Sequence, residues 1–240
     1  MTREEFTELV PQPPQGRVFE SSLMPGIADA GGDGRVRLDA IARWLQDVAY
    51  ADLLDVGADE GGVWIMRRVR IRAERFPRFG ERVTLRTFCS GIGRFSAERR
   101  TSIRGESACV ESVALWIWLD AETGRPRRFP AEFVAAYEES AAGREAPVRL
   151  RHGDPPGGCD RREWRFRATD EDVAGHVNNS HLWAPLEEEL AGTSPKSFDA
   201  EVEFREPTMP GPATLLRAPG WMWIADRTGE SVSASIRLAD

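Results

Sequence analysis

The feature that most limits how this chain can fold is an internal repeat. Three pairs of segments match between its two halves: Gly34-Arg35-Val36-Arg37 with Gly175-His176-Val177-Asn178, residues 69–80 with 200–211, and Gly105-Glu106-Ser107 with Gly229-Glu230-Ser231. Self-similarity of this kind indicates that one structural unit has been duplicated. The chain should therefore contain two copies of one fold.

Both copies show the same predicted order of elements: a strand, a helix, then several strands. In the first copy we predict a helix at 38–54, because residues 38, 41, 42, 45, 48 and 49 are apolar at the spacing of a helix with one buried face. From Trp64 the apolar period changes to two, which is typical of strands. The predicted strands of the first copy are 18–23, 64–73, 82–88, 95–103 and 110–119. In the second copy we predict a helix at 180–190 and strands at 163–169, 200–205, 214–218, 221–224 and 232–238.

The boundary between the copies is marked by a stretch rich in glycine, proline and charge, which ends in Asp154-Pro155-Pro156-Gly157-Gly158. We predict four parts: an N-terminal extension (1–17), a first unit (18–140), a linker (141–160) and a second unit (161–240). The first unit should provide a pocket for the substrate, and the second should provide the catalytic groups.

The polar groups suited to catalysis concentrate in one stretch, from Asp170 to Asn179. In the repeat alignment, the first copy has Gly31 where the second has Asp172, and Arg35 where the second has His176. Only the glycine and valine frame is common to both copies. We therefore interpret the frame as structural and the Asp/His pair as chemical, which predicts one active site rather than two.

A carboxylate beside a histidine suits general base catalysis. We expect Asp172 to activate water, or to attack the substrate itself. His176, with an unperturbed pKa of ~6.5, would orient the reactants or protonate the leaving group. Backbone N–H groups of residues 177–179, at the start of the predicted helix, would stabilise an oxyanion. Asn178 would assist catalysis or cap the helix. The alternative for His176 is a turn histidine that binds a backbone carbonyl.

The run Asp172-Val173-Ala174-Gly175-His176-Val177-Asn178-Asn179, followed by a helix and antiparallel strands, resembles the hotdog fold. The duplication and the run Trp64 to Ile103 resemble the acyl-acyl carrier protein thioesterases of plants and bacteria. The resemblance implies an α+β class with two tandem hotdog folds, each a helix wrapped by an antiparallel β-sheet. It also implies a role in fatty acid biosynthesis: hydrolysis of fatty acyl thioesters on acyl carrier protein, with release of free fatty acid and without a cofactor or metal.

The chain departs from the plant pattern at two places. Plant members carry Asp-x-Asn-x-His, and here the middle asparagine is Ala174. They also carry a Glu-Cys pair on the following strand, where this chain reads Arg205-Glu206-Pro207-Thr208. Glu206 matches the second carboxylate only after a one-residue shift, which on a strand would turn it to the other face. We keep Glu206 as a candidate catalytic residue.

The substrate is expected to lie in an apolar tunnel. Trp44, Trp64, Trp116 and Trp118 could line or floor this tunnel, and core packing is the alternative for each. Val177 and Asn179 are predicted to contact the substrate beside the catalytic pair.

Arginines cluster on one predicted strand, as Arg68, Arg70 and Arg72, and on the next strand as Arg82 and Arg86. This face could be solvated surface, or it could steer an acidic carrier protein. The group Arg125, Arg127 and Arg128 is an alternative docking patch.

Composition limits the remaining classes of function. A net charge of −7 argues against general nucleic-acid binding. No apolar run approaches the length of a membrane span, and the N-terminus lacks the pattern of a signal peptide. Three widely spaced cysteines fit a reducing cytoplasm. The expected partner is acyl carrier protein, or coenzyme A, carrying a fatty acyl chain, and a homodimer is one possible assembly.

Three other functions remain open at this point. An acyl-CoA thioesterase would use the same chemistry without docking to a carrier protein. A double-hotdog dehydratase also uses Asp and His, but we find no extended hydratase-type motif around His176. A non-catalytic acyl-binding protein would explain Ala174 and the missing Glu-Cys pair.

Overall fold

The computed structural model describes residues 6–58, 61–193 and 195–239, so the first five residues of the predicted N-terminal extension lie outside the described residues. Its strands are β1 (Phe19–Leu23), β2 (Val63–Arg75), β3 (Val83–Ile92), β4 (Ser96–Arg104), β5 (Cys109–Leu119), β6 (Asp160–Phe166), β7 (Phe198–Phe204), β8 (Gly211–Ala218), β9 (Trp221–Ala225) and β10 (Val232–Leu238). Its α-helices are α1 (Leu38–Val56), α2 (Ala131–Ala141) and α3 (Ala184–Leu190). None of the described helices is long and apolar enough to cross a membrane.

The ten strands form one antiparallel sheet in the order β1-β3-β4-β5-β2-β7-β10-β9-β8-β6. Read inwards from its two edges, this order pairs each strand of the first copy with its repeat counterpart. The copies meet where β2 pairs with β7, with Val69 opposite Val202 and Ile71 opposite Ala200. The arrangement has a pseudo-twofold axis at this seam. We propose the predicted boundaries, 18–140 and 161–240, for the two units.

One face of the sheet, here called the inner face, packs against the helices. Ile41 and Leu45 of α1 share a single apolar core with Leu182, Leu186 and the inward residues of the strands. Full burial of such a side chain contributes roughly 1.5–3 kcal/mol. The two central helices are therefore held side by side within one wrap of strands.

The helix predicted at 180–190 is divided in two. Residues Asn179–Trp183 form a 3₁₀ helix, and α3 begins only at Ala184. Pro185 is the second residue of α3, where its missing N–H would have no partner within the helix anyway. Proline thus sets the late start of the α-helix.

The opposite, outer face of the sheet carries the arginines of β2, but these are not a free basic surface. Arg68 is 2% exposed, and its Nη1 lies 3.3 Å from Glu203 of β7. Arg70 donates twice to Asp199 of β7, at 2.8 and 2.7 Å. The prediction of a docking face is therefore wrong for these two arginines, because β7 places carboxylates beside them. Arg72 and Arg75 of β2 remain exposed, as do Arg82 and Arg86, so docking on the exposed arginines of the predicted face stays a prediction.

Two segments without helix or strand cover this outer face: the N-terminal segment 6–16 and residues 142–159 of the predicted linker. The Thr7 N–H donates to Glu201 (2.9 Å), and the His152 N–H donates to Glu203 (2.9 Å). Carboxylates buried at the seam thus receive hydrogen bonds from the covering chain, as buried charge requires. The linker is therefore part of the packed structure.

Candidate active site

The loop that carries the predicted catalytic pair is closed by backbone hydrogen bonds. The Asp172 N–H donates to the His176 carbonyl (3.0 Å), and the Gly175 N–H donates to the Asp172 carbonyl (3.0 Å). Gly175 has φ +77°, a left-handed conformation that glycine adopts without steric cost. The tight turn holds Asp172 and His176 on neighbouring positions of one loop.

The first copy closes its loop with the same bonds. The Gly31 N–H donates to the Arg35 carbonyl and the Gly34 N–H to the Gly31 carbonyl, at 2.8 and 2.9 Å. Gly34 has φ +78°. The valine N–H groups also match, since Val36 donates to Pro77 and Val177 to Thr208. The two loops thus have the same backbone hydrogen bonds and the same left-handed glycine, and they differ in their side chains.

Asp172 and Asn178 are brought together by the loop. The Asp172 carboxylate accepts from the Asn178 side chain at Oδ2 (2.8 Å) and from the Ala174 N–H at Oδ1 (2.8 Å). Asn178 Oδ1 in turn accepts from the Ser180 N–H (2.9 Å) and from Gln46 Nε2 (3.0 Å). Asp172 is half-buried, so its carboxylate is oriented and still reachable.

His176 is half-buried, and its Nδ1 lies 3.1 Å from the Val177 carbonyl oxygen. A carbonyl oxygen can only accept, so Nδ1 is the donor in this contact, and in the neutral ring the lone pair is on Nε2. Asp172 and His176 are joined through their backbones, and no side-chain hydrogen bond links the two among the described residues. His176 thus presents a basic nitrogen from the same loop.

Glu206 is not brought to this group. It is exposed, and its carboxylate lies 3.3 Å from the Ser231 hydroxyl. The residue of this segment that reaches the loop is Thr208, whose carbonyl accepts the Val177 N–H (2.8 Å). A catalytic role for Glu206 stays a prediction, and these contacts do not support it.

The expected oxyanion donors are mostly engaged within the protein. The Val177 N–H donates to Thr208 and the Asn178 N–H donates to Asp170, both at 2.8 Å. Only the N–H of Asn179, the first residue of the 3₁₀ helix, has no acceptor among the described residues. The expectation of three donors is therefore reduced to one.

An apolar cavity of approximately 70 Å³ lies beside α1. Its lining includes Gln46, Leu53, Trp64, Cys89, Trp116 and Phe133. Two of the predicted tryptophans therefore reach it. Because Gln46 both borders the cavity and binds Asn178, the cavity adjoins the loop that carries Asp172 and His176.

Other residues predicted to contact substrate lie elsewhere. Trp44 is 4% exposed and packs in the main core, and the Val177 side chain is 1% exposed in the same core. Trp118 packs against Trp64, with ring centroids 5.0 Å apart. Asn179 is half-buried. Of this group, Trp118 supports the cavity wall, and Trp44 and Val177 belong to the core.

Buried polar groups support one end of the cavity. Asp52, 1% exposed, accepts from Arg17 Nε (2.7 Å), from the Tyr137 hydroxyl (2.9 Å) and from Arg99, which borders the cavity. Burial raises the pKa of Tyr137 to about 12, and burial raises the pKa of the Cys89 thiol to about 11. Cys89 is therefore a neutral wall residue rather than a nucleophile.

At the first-copy loop, Arg35 takes the position of His176. The helix residue beside it is Glu187 of α3, the repeat equivalent of Gln46. Arg35 and Glu187 form a bidentate ion pair, and Glu187 also accepts the Leu38 N–H (2.9 Å). Sequence reasoning missed both Gln46 and Glu187. The repeat could have found them, because the offset that places Gly34 on Gly175 also places Gln46 on Glu187.

One cluster of potential metal ligands occurs among the described residues, formed by His152, Glu201 and Glu203, with ligand atoms within 4.8 Å of one another. Its carboxylates already accept hydrogen bonds. Glu203 lies 3.3 Å from Arg68, and Glu201 lies 3.1 Å from Arg151. The two guanidinium groups fill the role that a cation would have, so we interpret the cluster as an ion-pair network of the seam.

Comparison with known sequences finds a family model that this chain matches and a relative that it resembles over most of its length. A family model for the acyl-ACP thioesterase N-terminal domain matches residues 16–137. An uncharacterized protein of Mycobacterium tuberculosis is 24% identical over 219 residues, which cover 90% of this chain and 88% of that protein.

Solved structures resemble this chain over nearly its whole length. An acyl-ACP thioesterase from Bacteroides thetaiotaomicron is 14% identical, with a TM-score of 0.72 over 92% of this chain and 96% of that chain. The 12:0-ACP thioesterase from Umbellularia californica is 18% identical, with a TM-score of 0.72 over 94% of this chain and 98% of that chain. At this identity they show the fold, and they confirm the predicted α+β class with two tandem hotdogs.

Proposed function

Because the chain belongs to the acyl-ACP thioesterase family, we propose that it hydrolyses fatty acyl thioesters on acyl carrier protein at a single site built around Asp172 and His176. Membership of the family makes the chain a thioester hydrolase. The residues that act and the preferred thiol are our proposals.

The acyl chain would occupy the cavity beside α1. Its lining is mostly aromatic and aliphatic, from Leu53, Trp64, Trp116 and Phe133. Each methylene moved from water into such a site contributes about 0.8 kcal/mol. The first unit would therefore hold the acyl chain while the second unit supplies the chemistry.

Asp172 would act as the general base. Its two oxygens accept hydrogen bonds from Asn178 and Ala174, and each oxygen keeps further acceptor capacity. The carboxylate would take one proton from a water molecule as the water oxygen bonds to the thioester carbonyl carbon. A positioned base of this kind contributes typically 10²–10⁴-fold.

His176 would orient the same water through the free lone pair of Nε2. After the carbon–sulfur bond breaks, the proton taken from water passes to the departing thiolate, directly from Asp172 or through His176. The products are the free acid and the thiol, so atoms and charge balance. The Asn179 N–H would donate to the carbonyl oxygen as it becomes negative.

The observation that carries this proposal is the hydrogen-bonded line from Asp172 through Asn178 to Gln46. These bonds measure 2.8 and 3.0 Å and end at a residue that borders the apolar cavity. An acyl chain bound there would place its thioester beside the loop. The equivalent line in the first copy is replaced by the Arg35–Glu187 ion pair.

An acidic carrier protein would need exposed basic residues near the cavity. Arg125, Arg127 and Arg128 are exposed in the segment between β5 and α2, and α2 supplies Phe133 to the cavity wall. We propose this group as the docking patch, in place of the buried arginines of β2. Cytoplasmic location and a homodimer stay predictions from the sequence.

The proposal is tested by incubating the purified protein with saturated acyl-acyl carrier proteins of several chain lengths and with the matching coenzyme A esters. Free acid and free thiol are measured for the natural chain and for Asp172→Ala. We expect turnover of the carrier-protein esters that is lost in the variant. Faster turnover of the coenzyme A esters would make it an acyl-CoA thioesterase. Acyl binding without turnover would overturn the enzymatic proposal.

A further inference from the structure

Gln46 is a first-copy residue that reaches into the second-copy site. It lies on α1, is half-buried and borders the cavity. Its Nε2 donates to Asn178 Oδ1 (3.0 Å), across 132 residues of sequence. This is a side-chain hydrogen bond between the two units at the proposed active site.

The bond fixes which way the Asn178 amide faces. Asn178 Oδ1 accepts from both Gln46 Nε2 and the Ser180 N–H, so both of its lone pairs are used. The amide nitrogen must then lie on the opposite side, where it donates to Asp172 Oδ2 (2.8 Å). A flipped amide would place its nitrogen against two donors and its oxygen against the carboxylate.

The equivalent place in the repeat, where the first-copy loop around Arg35 meets α3, shows that this contact is not a general feature of the repeat. We call each such meeting of a loop and a helix a corner. Glu187 occupies the position equivalent to Gln46, and it binds Arg35 and the Leu38 N–H. An ionised carboxylate cannot donate a hydrogen bond, so a glutamate could not hold the amide oxygen of an asparagine. The two corners therefore use this helix position for different purposes, an ion pair in one and an amide donor in the other.

We propose that Gln46 is a positioning residue that holds Asn178, and through it Asp172, in the orientation needed for catalysis. The proposal rests on the function proposed above. Gln46 need not touch the reacting atoms, since it acts through Asn178. Catalysis in the second unit is thereby tied to correct packing of a helix from the first.

The test compares Gln46→Met, which keeps the shape without the donor, with the natural chain and with Glu187→Gln as the matched change in the other corner. A single hydrogen bond contributes about 0.5–1.5 kcal/mol net, which corresponds to roughly a 2- to 12-fold change in rate. We expect kcat to fall about tenfold in Gln46→Met with KM changed less, and Glu187→Gln to keep kcat within about twofold.

Two further readouts separate positioning from a structural role. In an Asn178→Ala background, adding Gln46→Met should have no further effect, because the residue acts through Asn178. In Gln46→Glu, activity relative to the natural chain should recover as pH falls, because a protonated glutamate can donate again. Independent, additive losses in the double variant, or an unchanged kcat in Gln46→Met, would overturn the proposal.

Failure of the proposed function would look different. If the natural chain hydrolyses no acyl thioester, the function is wrong, and the contact can still be tested in the unliganded protein. NMR signals of the Gln46 side-chain amide should then move in Asn178→Ala and stay in place in Glu187→Gln. Signals unchanged in Asn178→Ala would show that the contact itself is absent in solution.

Discussion

The molecule contains two corners with the same backbone and different side chains. One corner, here called the catalytic corner after the proposed function, joins the loop around Asp172 to α1. The other, here called the silent corner, joins the loop around Arg35 to α3. Both loops close with the same hydrogen bonds and a left-handed glycine. In the catalytic corner the side chains form an open polar line to a cavity. In the silent corner they form an ion pair.

The difference shows how a duplicated fold can keep one active site. The silent corner has Gly31 at the position equivalent to Asp172 and Arg35 at the position equivalent to His176, so it has neither the carboxylate nor the histidine. The Arg35–Glu187 ion pair occupies these positions and joins the first-copy loop to α3 of the second unit. Under the proposed function, one corner carries out the chemistry, while the ion pair of the other holds the units together.

The largest expected effect is a loss of kcat, and it should occur at His176 but not at Arg35, the equivalent residue of the silent corner. His176→Ala should lower kcat about 10³-fold, or about 4 kcal/mol, because the basic nitrogen that orients water is lost. Its stability should change little, since the ring is half-buried and makes one hydrogen bond. Steady-state kinetics and urea denaturation measure the two quantities. A kcat within threefold of the natural chain would contradict the role given to this residue.

Arg35→Ala should show the opposite result. It leaves Glu187 with a largely buried, unpaired carboxylate, which typically costs at least about 3 kcal/mol of unfolding free energy. The folded fraction should keep its kcat. As a control, Arg35→Met combined with Glu187→Met should recover most of the loss, because neither charge then remains. A lower kcat in the folded Arg35→Ala protein would mean that the silent corner takes part in catalysis.

The seam between the units predicts a pH dependence. Burial alone would raise the pKa of Glu201, but contacts from His152 and Thr7 and the charge of Arg151 outweigh it and lower the pKa to about 2. Its ordinary value is 4.5, so the unfolded chain binds a proton in this interval and the native one does not. About 3 kcal/mol of stability should be present above pH 4.5 and be lost as pH falls towards 2.

Denaturation by urea between pH 5 and pH 2 measures this loss, with Glu201→Gln as the matched variant. The variant should have a flatter profile over the interval. Since Glu201 lies at the seam, both units should unfold in one transition. Two separate transitions would show that the two units are stabilised independently.

The smallest expected effect on stability comes from replacing the two glycines that close the loops, Gly34 and Gly175. Gly34→Ala and Gly175→Ala each place a Cβ on a left-handed residue, at a cost of about 1–2 kcal/mol. Neither new Cβ would meet a backbone atom within 4 Å, so strain is the shared cause. Stability should fall equally in both, while kcat falls only in Gly175→Ala. Equal losses of kcat would mean that the two loops do not differ in function.

Much of this architecture could be predicted from the sequence. The predicted helix at 38–54 and the strands of both copies agree with the observed elements to within a few residues at most ends. The copies also separate frame from chemistry, because Gly34 and Gly175 match while Arg35 and His176 do not. These features are local, so backbone preference and the apolar period are enough to predict them.

The site itself was only partly predictable. Asp172 and His176 follow from the repeat, and the structure adds that Asn178 holds the carboxylate. The expected N–H donors of residues 177 and 178 are engaged by the carbonyls of Thr208 and Asp170, and the contact found for the Glu206 carboxylate is with Ser231. None of these facts depends on the local pattern around the residue concerned.

The sequence by itself determined the repeat, the order of helices and strands, and the loop that carries the polar residues. Tertiary structure decided that Arg68 and Arg70 lie against carboxylates of β7, and that Gln46 reaches Asn178. The physical reason is that the spacing of apolar residues along the sequence indicates only which face of its own helix or strand a residue occupies. Which distant residue it meets depends on strand order and on how the central helices pack, and both are set by the whole core at once.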